Sequence, residues 1–242
     1  MLNNLFDEYS LNARVKPSLL AILPVIISVF IIIPALYKTI VSLFGILVAC
    51  GLITLLAHLS RHRGRKVEKA LLDKWGGFPS TIFLRHSDQT IDKHTKKRYR
   101  AFLETNIPEW ESPTDQDENS DQTSADIKYK SASKWLIEQT RDTKIYNLLF
   151  KENISYGFRR NCLGIKYFGI ILSLISLILV FCTLYNSEFS ILLEEKNLEL
   201  SFALFSLLML VWWIFIVSES WVKDAADSYA LRLLSVCDQV QQ

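Results

Sequence analysis

Four apolar runs, grouped two and two at opposite ends of the chain, constrain its fold more than any other feature. They are Leu19–Tyr37, Ile40–Leu59, Ile165–Tyr185 and Leu200–Val217. Each is about 18–21 residues long and carries no Asp, Glu, Lys or Arg except at its ends. At ~1.5 Å of rise per residue such a run crosses a ~30 Å hydrocarbon core, and in lipid a helix satisfies its own backbone. The pattern predicts a mainly α, polytopic membrane protein: two transmembrane helical hairpins bracketing a mixed, mostly helical cytoplasmic block. The expected divisions are an amphipathic N-terminal segment (1–16), hairpin 1 (17–60), the block (61–163) with an acidic linker at 108–126, hairpin 2 (164–218) and an amphipathic cytoplasmic tail (219–242).

Charge distribution supplies an orientation. Arg14 and Lys16 precede the first run, Arg61, Arg63, Arg65 and Lys66 follow the second, Arg159, Arg160 and Lys166 precede the third, and Lys223 follows the fourth. Cations beside membrane helices mark the cytoplasmic side, so both termini and the block are expected there. Only a tight turn near Lys38 and the acid-rich loop Asn186–Glu199 fall outside. A signal peptide fits poorly, because the first run is too long and a second span follows at once. Cys50, Cys162, Cys182 and Cys237 are scattered without a C-x-x-C pair, which argues for inert thiols and against a zinc site or a disulfide framework.

Along the polar middle, the sequence from Arg61 to about Ala70 continues the second helix as a basic stalk. Trp75-Gly76-Gly77-Phe78-Pro79 reads as a turn, Ser80–Leu84 as a short strand and Asp92–Leu103 as a helix. Pro108–Asp126 holds seven acids and no cation, and reads as a surface loop or disordered linker. Ile127–Phe150 reads as one or two helices with Ala132, Trp135 and Leu136 on one face and Leu148, Leu149 and Phe150 buried. Trp221–Val240 repeats apolar residues at helical spacing, and Leu2, Leu5, Phe6 and Tyr9 do the same at the N-terminus.

Several constellations carry possible chemistry. Lys96, Lys97, Arg98 and Arg100, with Tyr99 between them, form the densest basic run away from the spans; such a surface holds phosphates by charge and bases by stacking. The stalk cations Arg61, Arg63, Arg65 and Lys66 fit either phosphate binding or contact with anionic lipid, worth ~1 kcal/mol each. Arg85, His86 and Asp88 would suit a general base, yet no nucleophile motif accompanies them, so a structural hydrogen-bond cluster is the simpler reading. Asp115, Asp117, Asn119, Asp121 and Asp126 mimic the spacing of a calcium loop, but Ser120 stands where that loop needs Gly. No metal or cofactor is expected. Within the spans, Gly169, Ser173, Ser176 and Thr183 share one face, as do Ala21, Ser28 and Ala35. Such stripes permit close helix packing or line a weakly polar pore. The spans hold no internal acid or arginine, which argues against an ion-coupled transporter.

The two-plus-two layout, with the stretches WGGFPSTIFLRHSD (Trp75–Asp88), Thr95–Tyr99 and ENISYGFRRN (Glu152–Asn161), resembles the four-transmembrane effectors found beside SMODS-type nucleotidyltransferases in bacterial antiphage defence, of CBASS-like and Hailong-like systems. The resemblance implies a non-enzymatic homo-oligomeric membrane effector, such as a tetramer. Its cytoplasmic block would sense a nucleotide or short oligonucleotide made by a nucleotidyltransferase encoded nearby, and its helices would disrupt the lipid bilayer. Two other classes remain open: a membrane-anchored scaffold, and an enzyme tethered by its helices.

Overall fold

The computed structural model describes residues 7–32, 43–185 and 197–239, and every regular element among them is helical. The chain forms two compact units, one of residues 1–68 and 157–222, the other of residues 69–156 and 223–242. It passes between them three times, each time inside a helix: α2 (Leu43–Trp75), α7 (Asn147–Gly164) and α10 (Glu219–Leu234).

In unit 1, α1 covers residues 8–32. It begins at Asp7, whose carboxylate accepts from the Ser10 N–H, and widens into a π turn at Leu11–Val15 before continuing as Lys16–Ile32. The described part of the expected amphipathic segment is therefore the first turns of α1, not a separate surface helix; Leu2, Leu5 and Phe6 lie outside the described residues. The physical reason is local. Proline inside a helix lacks an N–H and crowds the carbonyl four residues back, which for Pro17 is Ala13. The π turn and a side-chain donor described below absorb both defects, so the helix continues.

Among the described residues, three helices are long and apolar enough to cross a membrane: Glu8–Val29, Lys166–Tyr185 (α8) and Asn197–Ile216 (α9). The central helix, α8, packs along both α1 and α9. Its polarity is inverted relative to a water-soluble helix. Gly169, Ser173, Ser176 and Val180 are buried, whereas Tyr167, Ile171, Leu174, Ile178 and Phe181 are exposed. An apolar exterior around a small and polar interior suits lipid as solvent. Of the second apolar run, residues 40–42 lie outside the described residues, as do the turn Tyr37–Thr39, Ala35 and most of the acidic loop. From Leu43 onward α2 is continuous for 33 residues. It extends past Ala70 to Trp75, where Gly76 (φ 78°) and Gly77 (φ 131°) supply the left-handed backbone that ends it.

Unit 2 is a soluble-type helical fold. Its core joins Phe83, Leu84, Ile91, Tyr99, Leu103, Tyr129, Leu136, Leu149, Leu233 and Leu234. Each fully buried leucine contributes ~1.5–3 kcal/mol relative to exposure. The elements are α3 (Pro79–Ile82), α4 (Lys93–Asn106), α5 (Asp115–Ser120), α6 (Gln122–Gln139), the start of α7, the remainder of α10, and α11 (Val236–Gln239). At the end of the chain α11 packs against α4.

Two expectations fail here. Ser80–Leu84 is not a strand: Phe78 is extended at the N-cap and Pro79 sits in the first turn, where its fixed φ starts a helix. Nor is 108–126 a featureless linker. Thr114 and Asp117 form a reciprocal capping box that starts α5, and Asp121 caps α6 by accepting from the Ser124 N–H. Glu118 is buried. Asp117 and Asp121 work as caps, Glu118 accepts hydrogen bonds, and Asp126 pairs with Arg85. One smaller difference is Leu148, which is exposed while Leu149 is buried.

Candidate functional site

The basic run lies on α4, whose N-cap Asp92 accepts from the N–H groups of His94 and Thr95. Those bonds hold the Asp92 carboxyl below the usual carboxylate range. Helical period then divides the five candidate residues. Lys96, Tyr99 and Leu103 stand at i, i+3 and i+7 and face the core, while Lys97 and Arg98 face outward.

Lys96 is turned into the fold. It is 4% exposed, and its ammonium donates to the carbonyls of Arg85 (2.7 Å) and Asp88 (2.6 Å), with the Asp88 carboxylate 3.8 Å away. Burial pulls its pKa down. Arg100 also turns inward. Its guanidinium donates to the Leu84 carbonyl (3.2 Å from Nε) and to His86 Nδ1 (3.0 Å), and lies over the Tyr129 ring. Tyr99 is buried, and burial raises its phenol pKa. Arg98 is exposed but paired with Asp238 at 3.0 Å, a bond that raises its pKa. Lys97 is exposed. The run is thus a clasp: Lys96 and Arg100 collect the carbonyls of Leu84, Arg85 and Asp88 from a segment that has no regular ladder to satisfy them. The signal was present in the sequence, because Lys96 falls on the same helical face as Tyr99 and Leu103.

The Arg85–His86–Asp88 group belongs to the same network. Arg85 makes a two-pronged ion pair with Asp126 (2.8 and 2.7 Å) and donates to the Gly76 carbonyl at 2.7 Å. The His86 backbone N–H donates to both oxygens of Glu118, which also accepts from the Tyr129 hydroxyl at 2.7 Å. Because Arg100 can only donate, His86 Nδ1 accepts and Nε2 carries the hydrogen toward the Pro113 carbonyl (3.0 Å). Asp88 is engaged by the Thr90 N–H (2.9 Å) and by Lys96, so it does not orient His86 as a base. Asp117, Asp121 and Asp126, from the calcium-like spacing, are similarly engaged in caps and the Arg85 pair. Among the described residues, no three His, Cys, Asp or Glu side chains converge to hold a metal.

In unit 1 the stripe of small residues is a packing seam. The Ser176 hydroxyl sits between Ser28 of α1 (2.6 Å) and Ser206 of α9 (2.7 Å), and bonds the Pro24 carbonyl at 3.0 Å. All three serines are buried, so three helices meet at one hydroxyl. Gly169 admits the buried Trp213 indole, which would lie 2.2 Å from a Cβ at that position. Thr183 donates to the Val180 carbonyl of its own helix.

The same spacing extends back into α7, a continuation not apparent from composition. Gly157 lies against Tyr9 and Ala13, and Gly164 against the backbone of Arg63 and Gly64. Between them Asn161, 0% exposed, donates from Nδ2 to the Ala13 carbonyl at 2.6 Å. That carbonyl would ordinarily bond the N–H of residue 17, which is proline. Asn161 Oδ1 occupies the place a Gly64 side chain would take. Of the stalk cations, Arg63, Arg65 and Lys66 are exposed and Arg61 is half-buried. Arg63 lies over the Phe168 ring at 4.6 Å.

No protein family, curated protein or solved structure matches this chain.

Proposed function

We propose that the chain is a four-span, homo-oligomeric membrane effector in a bacterial inner membrane, with both termini cytoplasmic. Its cytoplasmic unit 2 responds to a nucleotide or short oligonucleotide and drives a rearrangement of the spans that permeabilises the bilayer. The fourth span in this reading is the apolar run Ile40–Leu59. The observation that carries it is the connection between units. The chain passes from one to the other within α2, α7 and α10 and never through a loop. A tether needs no such continuity, whereas a helix shared by two units passes a displacement along its hydrogen-bonded backbone. Three described helices close on a buried seam at Ser176, so a conduit in this reading is built from several copies.

With Lys96, Tyr99 and Arg100 engaged internally, phosphate contact in this reading falls to the outward residues Lys93, His94 and Lys97 of α4. Induced expression of the full chain should then arrest growth and admit a membrane-impermeant dye. Inserting a Gly-Ser-Gly-Ser segment after Glu68 should abolish dye entry while membrane insertion persists; the same insert in the exposed turn 141–144 should not. Dye entry undiminished by the insert at Glu68, or a protein that runs strictly as a monomer in mild detergent, overturns the proposal.

A scaffold is the second reading, favoured by Ile145 and Leu148, which stand 73% and 58% exposed on unit 2. Affinity capture from membranes that loses a partner on Ile145→Ser/Leu148→Ser, without any dye entry in the parent chain, would favour it.

A further inference from the structure

The cytoplasmic end of unit 1 gathers guanidinium groups that lie far apart in sequence. The Ser18 hydroxyl of α1 bonds the Leu56 carbonyl of α2 at 2.9 Å, which fixes the level at which these helices meet. One turn toward the N-terminus of α1 and the C-terminal end of α2, that register places Arg14 beside Arg61, with Tyr9 and Arg65 also within electrostatic reach of the Arg61 guanidinium. Arg61 and Arg65 share a face at i, i+4. Arg14 is held over the Tyr9 ring and donates to the Ser10 hydroxyl at 2.9 Å. Burial lowers the pKa of Arg61, and three other guanidiniums, foremost Arg14 and Arg65, add to it. The sole acid of α2 within unit 1, Glu68, is bonded by Arg160 at 2.7 Å. Like charges drawn together this way call for an anion.

The membrane side of the same register is apolar. Leu19 and Leu55 stand level with each other, 38% and 64% exposed, and Leu23 and Leu52 continue the surface deeper into the span. A phosphate with a hydrocarbon chain beneath it fits both halves; a free phosphate fits one. We infer that Arg14, Arg61 and Arg65 bind the phosphate of one acidic phospholipid, whose acyl chain lies along Leu19 and Leu55. The site requires that the chain be membrane-embedded but does not depend on effector activity.

The test is native mass spectrometry of the full chain released from nanodiscs of mixed phosphatidylglycerol and phosphatidylcholine. Retention of one phosphatidylglycerol per chain is expected. In Arg14→Gln/Arg61→Gln its affinity should fall about thirtyfold, at ~1 kcal/mol per cation. The charge-matched control Lys66→Gln/Lys69→Gln should retain it. Should the double variant fail to fold, Arg65→Gln alone, an exposed position, should weaken retention several-fold. Equal retention in the arginine variants, equal loss in the lysine control, or matching thermal stabilisation by inorganic phosphate would overturn the inference. A lipid lost with dye entry unchanged separates this site from the effector reading.

Discussion

At the scale of single residues, α4 shows how neighbours of one charge do opposite work. Lys96 and Lys97 differ by 100° around a helix, and that angle decides between a buried clasp and a solvated cation. Lys96→Met should cost about 2–4 kcal/mol, because it strands two buried carbonyls and the partly buried Asp88. Lys97→Gln should change stability by less than ~0.5 kcal/mol. Hydrogen exchange of the amides of residues 84–92 in the detergent-solubilised full chain checks both, with faster exchange expected only in the Lys96 variant. Equal protection in the two would refute the clasp.

At the scale of elements, the entry of α1 depends on a repair made by another helix. Pro17 removes one donor and Asn161 replaces it, so their substitutions should not add. Asn161→Ala alone should cost ~1–3 kcal/mol, since the Ala13 carbonyl is then buried without a donor. Pro17→Ala restores an N–H, and in that background Asn161→Ala should cost markedly less; thermal unfolding of the four proteins in one detergent gives the coupling. Additive losses would show that Asn161 acts by packing alone. Gly164→Ala probes the neighbouring crossing, where a Cβ would lie 2.5 Å from the Gly64 nitrogen. Backbone cannot move aside as a flexible side chain can, so a loss of at least ~1–3 kcal/mol is expected in the same unfolding measurement.

At the scale of the whole molecule, unit 2 should carry a recognisable alkaline signature. Burial and the adjacent Asp238 raise the Cys237 thiol from 9.0 to about 12, and burial raises Tyr99 and, with its bond to Glu118, Tyr129. A raised pKa means that the folded state binds more protons than the unfolded one, so stability falls as pH rises. The Cys237 contribution is complete below pH ~9 and is lost as pH rises toward about 12. Lys96, lowered by burial, opposes this trend. Cys237→Ala should flatten the decline in unit 2 stability between pH ~9 and 10, before the tyrosines titrate; exchange protection in the α11 region across that range is the measurement. An unchanged slope would count against a buried, protonated thiol.

Much of the architecture was legible because lipid and water impose opposite patterns over many residues. The first, third and fourth apolar runs announced membrane-length helices, the Gly76-Gly77 pair announced a turn, and Asp92 announced the start of α4. Each signal is local, arising from hydropathy summed over a segment or from the dihedrals of one residue. The roles of individual polar groups were not legible. Whether Lys96 met a ligand or a carbonyl, whether Glu118 solvated a loop or received Tyr129 and His86, and whether Ser176 lined a pore or joined three helices all depended on atoms distant in sequence. Sequence determined the long helices and which of them suit lipid, while the short helices at Pro79–Ile82 and Asp115–Ser120 were set by single caps within segments that read otherwise. Tertiary structure decided what each buried donor and acceptor would meet, because a hydrogen bond requires a partner within about 3 Å and sequence spacing sets that distance only within a single element.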